Sequence, residues 1–147
     1  MASVPVKEIV DTLADALRGI TVANGYNTDL GTNVRTERKQ GGLPDAPVCT
    51  VACTSKVRGE DGKTRPNVGR MIRGVIEFEV PDGYADALAH VYTADEDIDR
   101  CLRQYHQMPG ALPVSYDETI FLDRPEGLPV CAAEIHWSTA YQARGGS

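Results

Sequence analysis

Residues 71–80 are the stretch that most constrains how this chain can fold, because their side chains alternate strictly in character. One set is apolar or small: Ile72, Gly74, Ile76, Phe78 and Val80. The other set is mixed and includes charges: Met71, Arg73, Val75, Glu77 and Glu79. Successive side chains on a strand point to opposite faces, so this pattern predicts a strand with one buried and one partly polar face. Pro81-Asp82-Gly83 ends it, since proline donates no backbone hydrogen bond and glycine permits a sharp bend.

A long amphipathic helix is predicted directly after this strand. Its apolar positions recur near the helical period: Tyr84, Leu88, Val91, Ile98, Leu102 and Tyr105. Residues 93–96 have the form of a capping box, which predicts a possible break and a second helix start. On the solvent face, Glu96 with Arg100 and Asp99 with Arg103 have the spacing of i,i+4 ion pairs. A strand followed by a helix that folds back over it makes a two-layer core.

The remaining elements are predicted from shorter patterns. Residues 4–18 indicate an amphipathic helix, and residues 20–31 are rich in turn formers. Within them, Asn24-Gly25 is compatible with a tight loop or with a hairpin. Further strands are predicted at 33–38 (short and polar, at an edge), 48–57, 114–123 and 130–142, with a loose tail at 143–147. On the strand at 114–123, Tyr116, Ile120 and Leu122 are expected on one face.

These elements predict a single α+β domain spanning residues 1–147. Strands adjacent in sequence are joined by turns, so we expect a mainly antiparallel sheet of four to five strands. Both helices should pack on one face of that sheet. Residues 58–69 form a polar insertion, which makes the two central strands a hairpin with a long tip.

The composition is that of an ordinary globular protein, with 41% hydrophobic and 24% charged residues. No run of about 18 apolar residues predicts a membrane span. The first residues lack the basic and apolar segments of a signal peptide, so a cytosolic origin is the default expectation. A net charge of −6 argues against general nucleic-acid binding, which favours a basic surface.

Four cysteines raise the question of disulfides or zinc, but none forms a C-x-x-C pair. Cys49, Val51, Cys53 and Val57 would share one face of a strand, as small buried hydrophobes do. We therefore expect four reduced thiols in the core and no metal or cofactor, with a zinc site as the alternative.

The stretches that come near to a phosphate-binding or calcium-binding motif fail on spacing. Gly62-Lys63-Thr64 lacks the first glycine of a phosphate-binding loop and joins two strands. Asp95, Asp97 and Asp99 have the spacing of a calcium loop, but the required glycine and glutamate are Arg100 and His106. There is no G-x-S-x-G, and none of the three histidines, including His136, has a sequence partner. A non-enzyme is therefore predicted, with an active site assembled from separated residues as the alternative.

The segment from Lys56 to Arg73 is basic in an otherwise acidic protein. It contains only two acidic residues, Glu60 and Asp61, and six basic ones: Lys56, Arg58, Lys63, Arg65, Arg70 and Arg73. The segment is either a solvated hairpin tip or a contact with an acidic neighbour.

The whole pattern resembles the tail-terminator proteins of long-tailed bacteriophages, including the lambda-like ones, and related neck and tail-completion proteins. The resemblance covers nearly all of the chain. It rests on the N-terminal helix leading into residues 24–31 (NGYNTDLG), the strand after Pro47, the strand ending at residues 78–80 before a long helix, and the last strand, residues 135–141 (IHWSTAY).

The resemblance implies a structural protein of the virion tail or neck, made in the host cytoplasm. Such proteins form a homohexameric ring on the head-proximal end of the tail tube, stop tube polymerisation, and meet the head-side connector. DNA passes through the lumen without specific binding, for which an acidic lining is suited. The candidate subunit or tube interface is Arg58, Lys63, Arg65, Arg70, Met71, Arg73, Val75 and Glu77. Another neck, head-completion or tube-related protein is the alternative within the same class.

Overall fold

The computed structural model describes residues 5–37, 46–58, 67–81, 83, 86–104, 111, 114–123 and 129–144. Two helices, α1 (Pro5–Leu17) and α2 (Ala87–Arg103), accompany five strands. The strands are β1 (Val34–Arg35), β2 (Val48–Arg58), β3 (Asn67–Pro81), β4 (Ser115–Asp123) and β5 (Val130–Arg144). Short 3₁₀ turns at Val22–Asn24 and Leu30–Asn33 connect α1 to β1.

The five strands form one sheet in the order β1-β2-β3-β5-β4. β3 is antiparallel to both of its neighbours and pairs with β5 along its entire length, from Asn67 to Pro81. β4 pairs antiparallel with β5 at one edge, while β1 pairs parallel with β2 at the other. The predicted α+β fold with a mostly antiparallel sheet is confirmed.

The alternation predicted for β3 is also confirmed. Ile72, Ile76, Phe78 and Val80 are buried, whereas Met71 and Arg73 on the opposite face are exposed. The buried face packs in one cluster with the apolar stripes of both helices, including Leu13 of α1 and Ile98 of α2. Both helices therefore cover the same face of the sheet, which we call the helix face; the opposite one is the outer face.

The predicted break in the second helix is wrong, since α2 runs without interruption from Ala87 to Arg103. The Thr93 hydroxyl donates to the carbonyl oxygen of Ala89 at 3.0 Å, which is an i−4 bond within a continuing helix instead of a cap. The Asp99–Arg103 pair forms at 3.5 Å. Tyr84 and Tyr105, at the ends of the predicted stripe, lie outside the described residues.

Two boundaries differ from the sequence prediction. β5 extends to Arg144, so residues 143 and 144 belong to the sheet and not to a loose tail, because they pair with Val68 and Asn67. β2 and β3 likewise reach Arg58 and Asn67, so both flanks of the predicted 58–69 insertion are strand. Residues 59–66, the remainder of the tip, lie outside the described residues.

Two β-bulges redirect side chains that the sequence pattern placed on the wrong face. The register shifts between Cys53 and Ser55, so Val57 pairs with Met71 on the outer face and not with the buried cysteines. A second shift between Tyr116 and Glu118 separates Tyr116 from Ile120 and Leu122. Tyr116 therefore lies on the helix face, where its hydroxyl donates to the Asp95 carboxylate at 3.2 Å.

A buried carboxylate holds the turn-rich segment onto α2. Asp97, only 1% exposed, accepts hydrogen bonds from the backbone N–H groups of Asn27 (3.1 Å) and Thr28 (2.8 Å) and from the Thr28 hydroxyl (2.6 Å). One turn along, the Arg100 guanidinium donates to the Gly25 carbonyl oxygen at 2.8 Å and lies over the Tyr26 ring. The segment is thus a loop anchored to a helix, and of the two alternatives the hairpin is wrong.

Gly74 is the point of closest packing in the sheet. It pairs with Trp137 of β5 and Cys53 of β2, and Trp137 is fully buried. A Cβ built at position 74 would overlap the backbone carbonyl oxygen of Ala52 and the indole ring of Trp137. The largest core side chain therefore occupies the space that a side chain at position 74 would need.

We expect Gly74→Ala to destabilise the protein by about 3 kcal/mol or more, because a clash with backbone cannot be relieved by a change of rotamer. Thermal or denaturant unfolding of the purified variant measures the loss. Gly83→Ala is the matched control, since a Cβ there meets no atom within 4 Å. Equal stability of the two variants would contradict this account of Gly74.

We expect Asp97→Ala to cost roughly 2–4 kcal/mol, because it leaves the Thr28 and Asn27 backbone donors without their acceptor. The loop around residues 25–31 should also become sensitive to proteolysis while the sheet stays resistant. Asp99→Ala, which removes only a partly exposed ion pair, should change stability by less than about 1 kcal/mol. Matching losses in the two variants would count against the anchor.

Candidate assembly surface

The outer face of β3 gathers four of the eight predicted interface residues in one row. Met71, Arg73, Val75 and Glu77 alternate with the buried residues and point away from the helices. Met71 is 46% exposed and Arg73 is exposed, while Val75 and Glu77 are partly buried by neighbouring strands. The row therefore combines apolar contact area with charges of both signs, which is a composition that suits contact with another protein.

Of the other four predicted residues, Arg70 lies apart from this row. Arg70 follows the opposite phase of the strand, in register with Tyr141, and its guanidinium donates to the Gly69 carbonyl oxygen at 3.0 Å. Arg58 pairs with Arg70 across the hairpin, so these two basic positions are adjacent. Lys63 and Arg65 lie outside the described residues.

Val57 belongs to the outer-face row, although the sequence pattern did not select it. It is 53% exposed and pairs directly with Met71. The two side chains make a contiguous apolar patch near the tip end of the β2–β3 hairpin. Only the bulge between Cys53 and Ser55 brings Val57 to this face, and simple alternation along the strand carries no signal for such a bulge.

A depression of about 530 Å³ lies on the outer face beside this patch. Its lining includes Arg73, Asp117, Glu118, His136 and Ser138. The His136 Nε2 atom lies 3.6 Å from the Glu134 carboxylate, and Ser138 donates to Asp117 at 3.4 Å. His136 is thus half-buried on the outer face, in surroundings of mixed charge.

A second depression, of about 400 Å³, lies beside the anchored loop. Several of its polar groups already bond within the protein: Thr28 donates to Asp97, Asp29 accepts from the Val22 N–H at 2.8 Å, and Asn33 donates to the Pro47 carbonyl oxygen at 2.9 Å. These bonds hold the loop in shape.

His90 also lines this second depression, and burial shifts the pKa of its imidazole. Its ring lies 5.7 Å from that of Phe78, on the core side of α2. Burial lowers the pKa of His90 below its usual 6.5, while the negative charge of Asp97 acts in the opposite direction. The lowered pKa favours a neutral imidazole in the folded protein.

The cysteines occupy separate positions and no disulfide joins them. Cys49, Cys101 and Cys131 are buried, and burial raises the pKa of the Cys49 thiol to about 12. Within the described ranges, no three His, Cys, Asp or Glu side chains are grouped to hold a metal ion. None of the helices in that part of the chain has the length and apolarity to cross a membrane.

The fold places this chain among α+β proteins with a five-stranded mixed sheet covered by two helices on one face. No family model and no curated protein sequence matches the chain. Among solved structures, it is similar to a chain from the virion of a native gene transfer agent particle, with 13% sequence identity and a TM-score of 0.60. The similarity covers 97% of this chain and 100% of that one. At this identity, the comparison shows a shared fold.

We expect stability to fall as the pH drops from about 7 through 6.5, partly because of His90. Unfolded His90 takes up a proton near pH 6.5, whereas the folded form, with its lowered pKa, takes one up only at lower pH. Replacing His90 with Gln should therefore flatten the stability curve between pH 7 and pH 5.5. Chemical denaturation of both proteins across that range measures the difference, and parallel curves would show that His90 contributes nothing.

Proposed function

We propose that this protein is a structural component of a phage-like virion, and specifically a tail-terminator protein. It would form a ring on the head-proximal end of the tail tube, stop tube growth, and provide the joint to the head-side connector. The ring would contain six copies of the chain, as do the rings of the tail-terminator proteins that the sequence resembles. DNA would pass through the lumen without specific binding.

The observation that carries this proposal is the fold similarity to a chain of a gene transfer agent virion, which spans essentially the full length of both chains. The resemblance of residues 24–31 and of the last strand to tail-terminator proteins supports the proposed position at the end of the tail tube. That solved structure is described as a whole virion, so another neck, head-completion or tube-related protein is the second candidate.

The outer face supplies a physical basis for assembly. Val57 and Met71 are each about half exposed on the outer face of the sheet, next to the charged residue Arg73. A partner that covers this patch removes apolar area from water, which favours association. Arg73 and Glu77 beside it would set orientation, and the basic residues of the hairpin tip (Arg58, Lys63 and Arg65) would meet an acidic surface of the tube or a neighbour.

The test is to add the protein to purified tail tubes of the same particle, together with tube subunits, and to image the tube ends. We expect a ring at one end of each tube and an arrest of elongation. Tubes that keep growing, with bare ends, would exclude the terminator role. Binding of the protein to heads or connectors, but not to tube ends, would favour the second candidate.

Met71→Asp tests the outer-face patch in the same assay. A charge buried at an interface should weaken capping roughly tenfold or more, while folding is preserved because the side chain is exposed. Val22→Asp is the control, since Val22 is 56% exposed but lies between α1 and β1, away from the patch. Equal capping by the two variants would mean that the outer face is not the contact.

A further inference from the structure

Four of the large apolar side chains that are exposed in the described part of the chain form two pairs. Val57 and Met71 make the outer-face patch. Tyr92 of α2 is 48% exposed and Phe121 of β4 is 43% exposed, and their rings pack edge to face with the centroids 5.0 Å apart. We call this second pair the aromatic patch. Aromatic and methionine side chains are enriched where proteins contact one another, so both patches are candidate contact surfaces.

The two patches lie on opposite sides of the sheet. Met71 is on the outer face, whereas Phe121 pairs with the buried Ala133 and so lies on the helix face, where it meets Tyr92. The patches therefore cannot cover each other within one copy of the chain. They can do so only between copies.

Each patch has a charged neighbour whose own charge is unpaired. Arg73 is two residues from Met71 on the outer face and is exposed. Glu96 is four residues from Tyr92, so it lies on the same side of α2, and it is also exposed. Within the described ranges, neither the Arg73 guanidinium nor the Glu96 carboxylate has a hydrogen-bond or ion-pair partner. One patch thus carries an available cation and the other an available anion.

The surroundings of Glu96 on α2 are acidic. Arg100, the predicted i,i+4 partner of Glu96, donates instead to the Gly25 carbonyl oxygen. Asp95 and Asp99 flank Glu96 on this side of the helix, and both have partners in the fold. The aromatic patch therefore lies beside an acidic stripe, which favours a partner that combines apolar area with positive charge.

We propose that the outer-face patch of one copy packs on the aromatic patch of a second copy, with Arg73 of the first beside Glu96 of the second. The proposal rests on the assembly role above and names the partner of the outer-face patch as another copy of this chain. Because two different patches meet, the interface is heterologous, and its repetition gives a closed ring or a filament.

The spacing within the two patches matches. Met71 and Arg73 are two residues apart on a strand, which is about 6.8 Å. Tyr92 and Glu96 are four residues apart on a helix, which is about 6 Å along its axis. When the Met71 thioether lies against the aromatic rings, Arg73 therefore comes within reach of Glu96. A methionine sulfur against an aromatic ring and an arginine beside a carboxylate are both favourable contacts.

The same charges oppose the pairing of like patches. Two outer-face patches in contact would bring Arg73 against Arg73, and two aromatic patches would bring two acidic stripes together. Like charges brought together at an interface weaken association, so they act against these alternatives. Charge thus selects the contact between unlike patches, and this complementarity is the argument for a second copy as the partner.

Complementation between two variants tests the joint. Met71→Asp disrupts the outer-face patch and Tyr92→Lys disrupts the aromatic patch, and folding is preserved because each side chain is about half exposed. We expect concentrated wild-type protein to sediment as trimers and larger species, and each variant to sediment as a monomer. An equimolar mixture of the variants should form heterodimers and nothing larger, since each variant keeps one half of the joint.

Val22→Asp is the control for this experiment, because Val22 is 56% exposed and belongs to neither patch. It should associate like the wild type. Normal association of Tyr92→Lys together with a monomeric Met71→Asp would overturn the joint, because like patches would then be in contact. A mixture of the two variants that stays monomeric, while the wild type associates, would also overturn it.

The tube-capping assay separates this joint from the proposed function. Tubes capped equally well by Tyr92→Lys and by the wild type would overturn the joint and leave the terminator role intact. Wild-type protein that associates as expected but leaves tubes uncapped would support the joint and count against that role. If the wild type is monomeric in solution but caps tubes, loss of capping by Tyr92→Lys supports the joint. Neither association nor capping by the wild type would overturn both.

A charge exchange gives a second, independent measurement. Arg73→Glu or Glu96→Arg alone should weaken association roughly tenfold, because like charges then meet at the joint. The double variant should recover the association, which a merely structural effect of either residue would not allow. Glu37→Arg is the control for net charge, since Glu37 is exposed beside β1, at the opposite edge of the sheet from β4. Failure of the double variant to recover, with thermal stability unchanged, would overturn the contact between Arg73 and Glu96.

Discussion

The strict alternation of β3 is the constraint on which the rest of the structure depends. Its apolar set must leave water, and a two-sided strand can bury one face only if its neighbours present apolar residues on that same face. β2 and β5 do so along most of their length, and both helices then cover the surface they share. Gly74 belongs to this constraint, because the indole of Trp137 packs in the space left by the missing side chain.

The second organising feature is a set of hydrogen bonds and an ion pair made by the acidic side chains of α2. Three carboxylates with similar spacing, Asp95, Asp97 and Asp99, have unrelated tasks in the fold. Asp95 accepts hydrogen bonds from β4, Asp97 anchors the loop through Thr28, and Asp99 pairs with Arg103. A helix turns about 100° per residue, so residues two apart point in different directions. What resembled the start of a metal-binding loop is therefore a set of separate attachments.

Among the described residues, no second layer covers the outer face of the sheet, and no further strand pairs with β4 at its edge. Both helices cover one face, so Val57, which the bulge brings to the outer face, is covered by no other described element. The same is true of Ile120 at the β4 edge. Exposed apolar residues along strands are suited to contact with other subunits, which is the basis of the assembly role proposed above.

The sequence by itself determined the fold class, the helix and strand positions to within a few residues, and the buried face of β3, because these follow from local periodicity. It also indicated the outward row that includes Met71 and Arg73. Only the tertiary structure decided that β5 lies between β3 and β4, that α2 is continuous through Thr93, and that Val57 and Tyr116 occupy the faces they do. Strand order depends on contacts between residues far apart in the chain, and a bulge is a property of two paired strands together. Neither is expressed in the periodicity of one segment, which is why the patch formed by Val57 and Met71 emerges only in three dimensions.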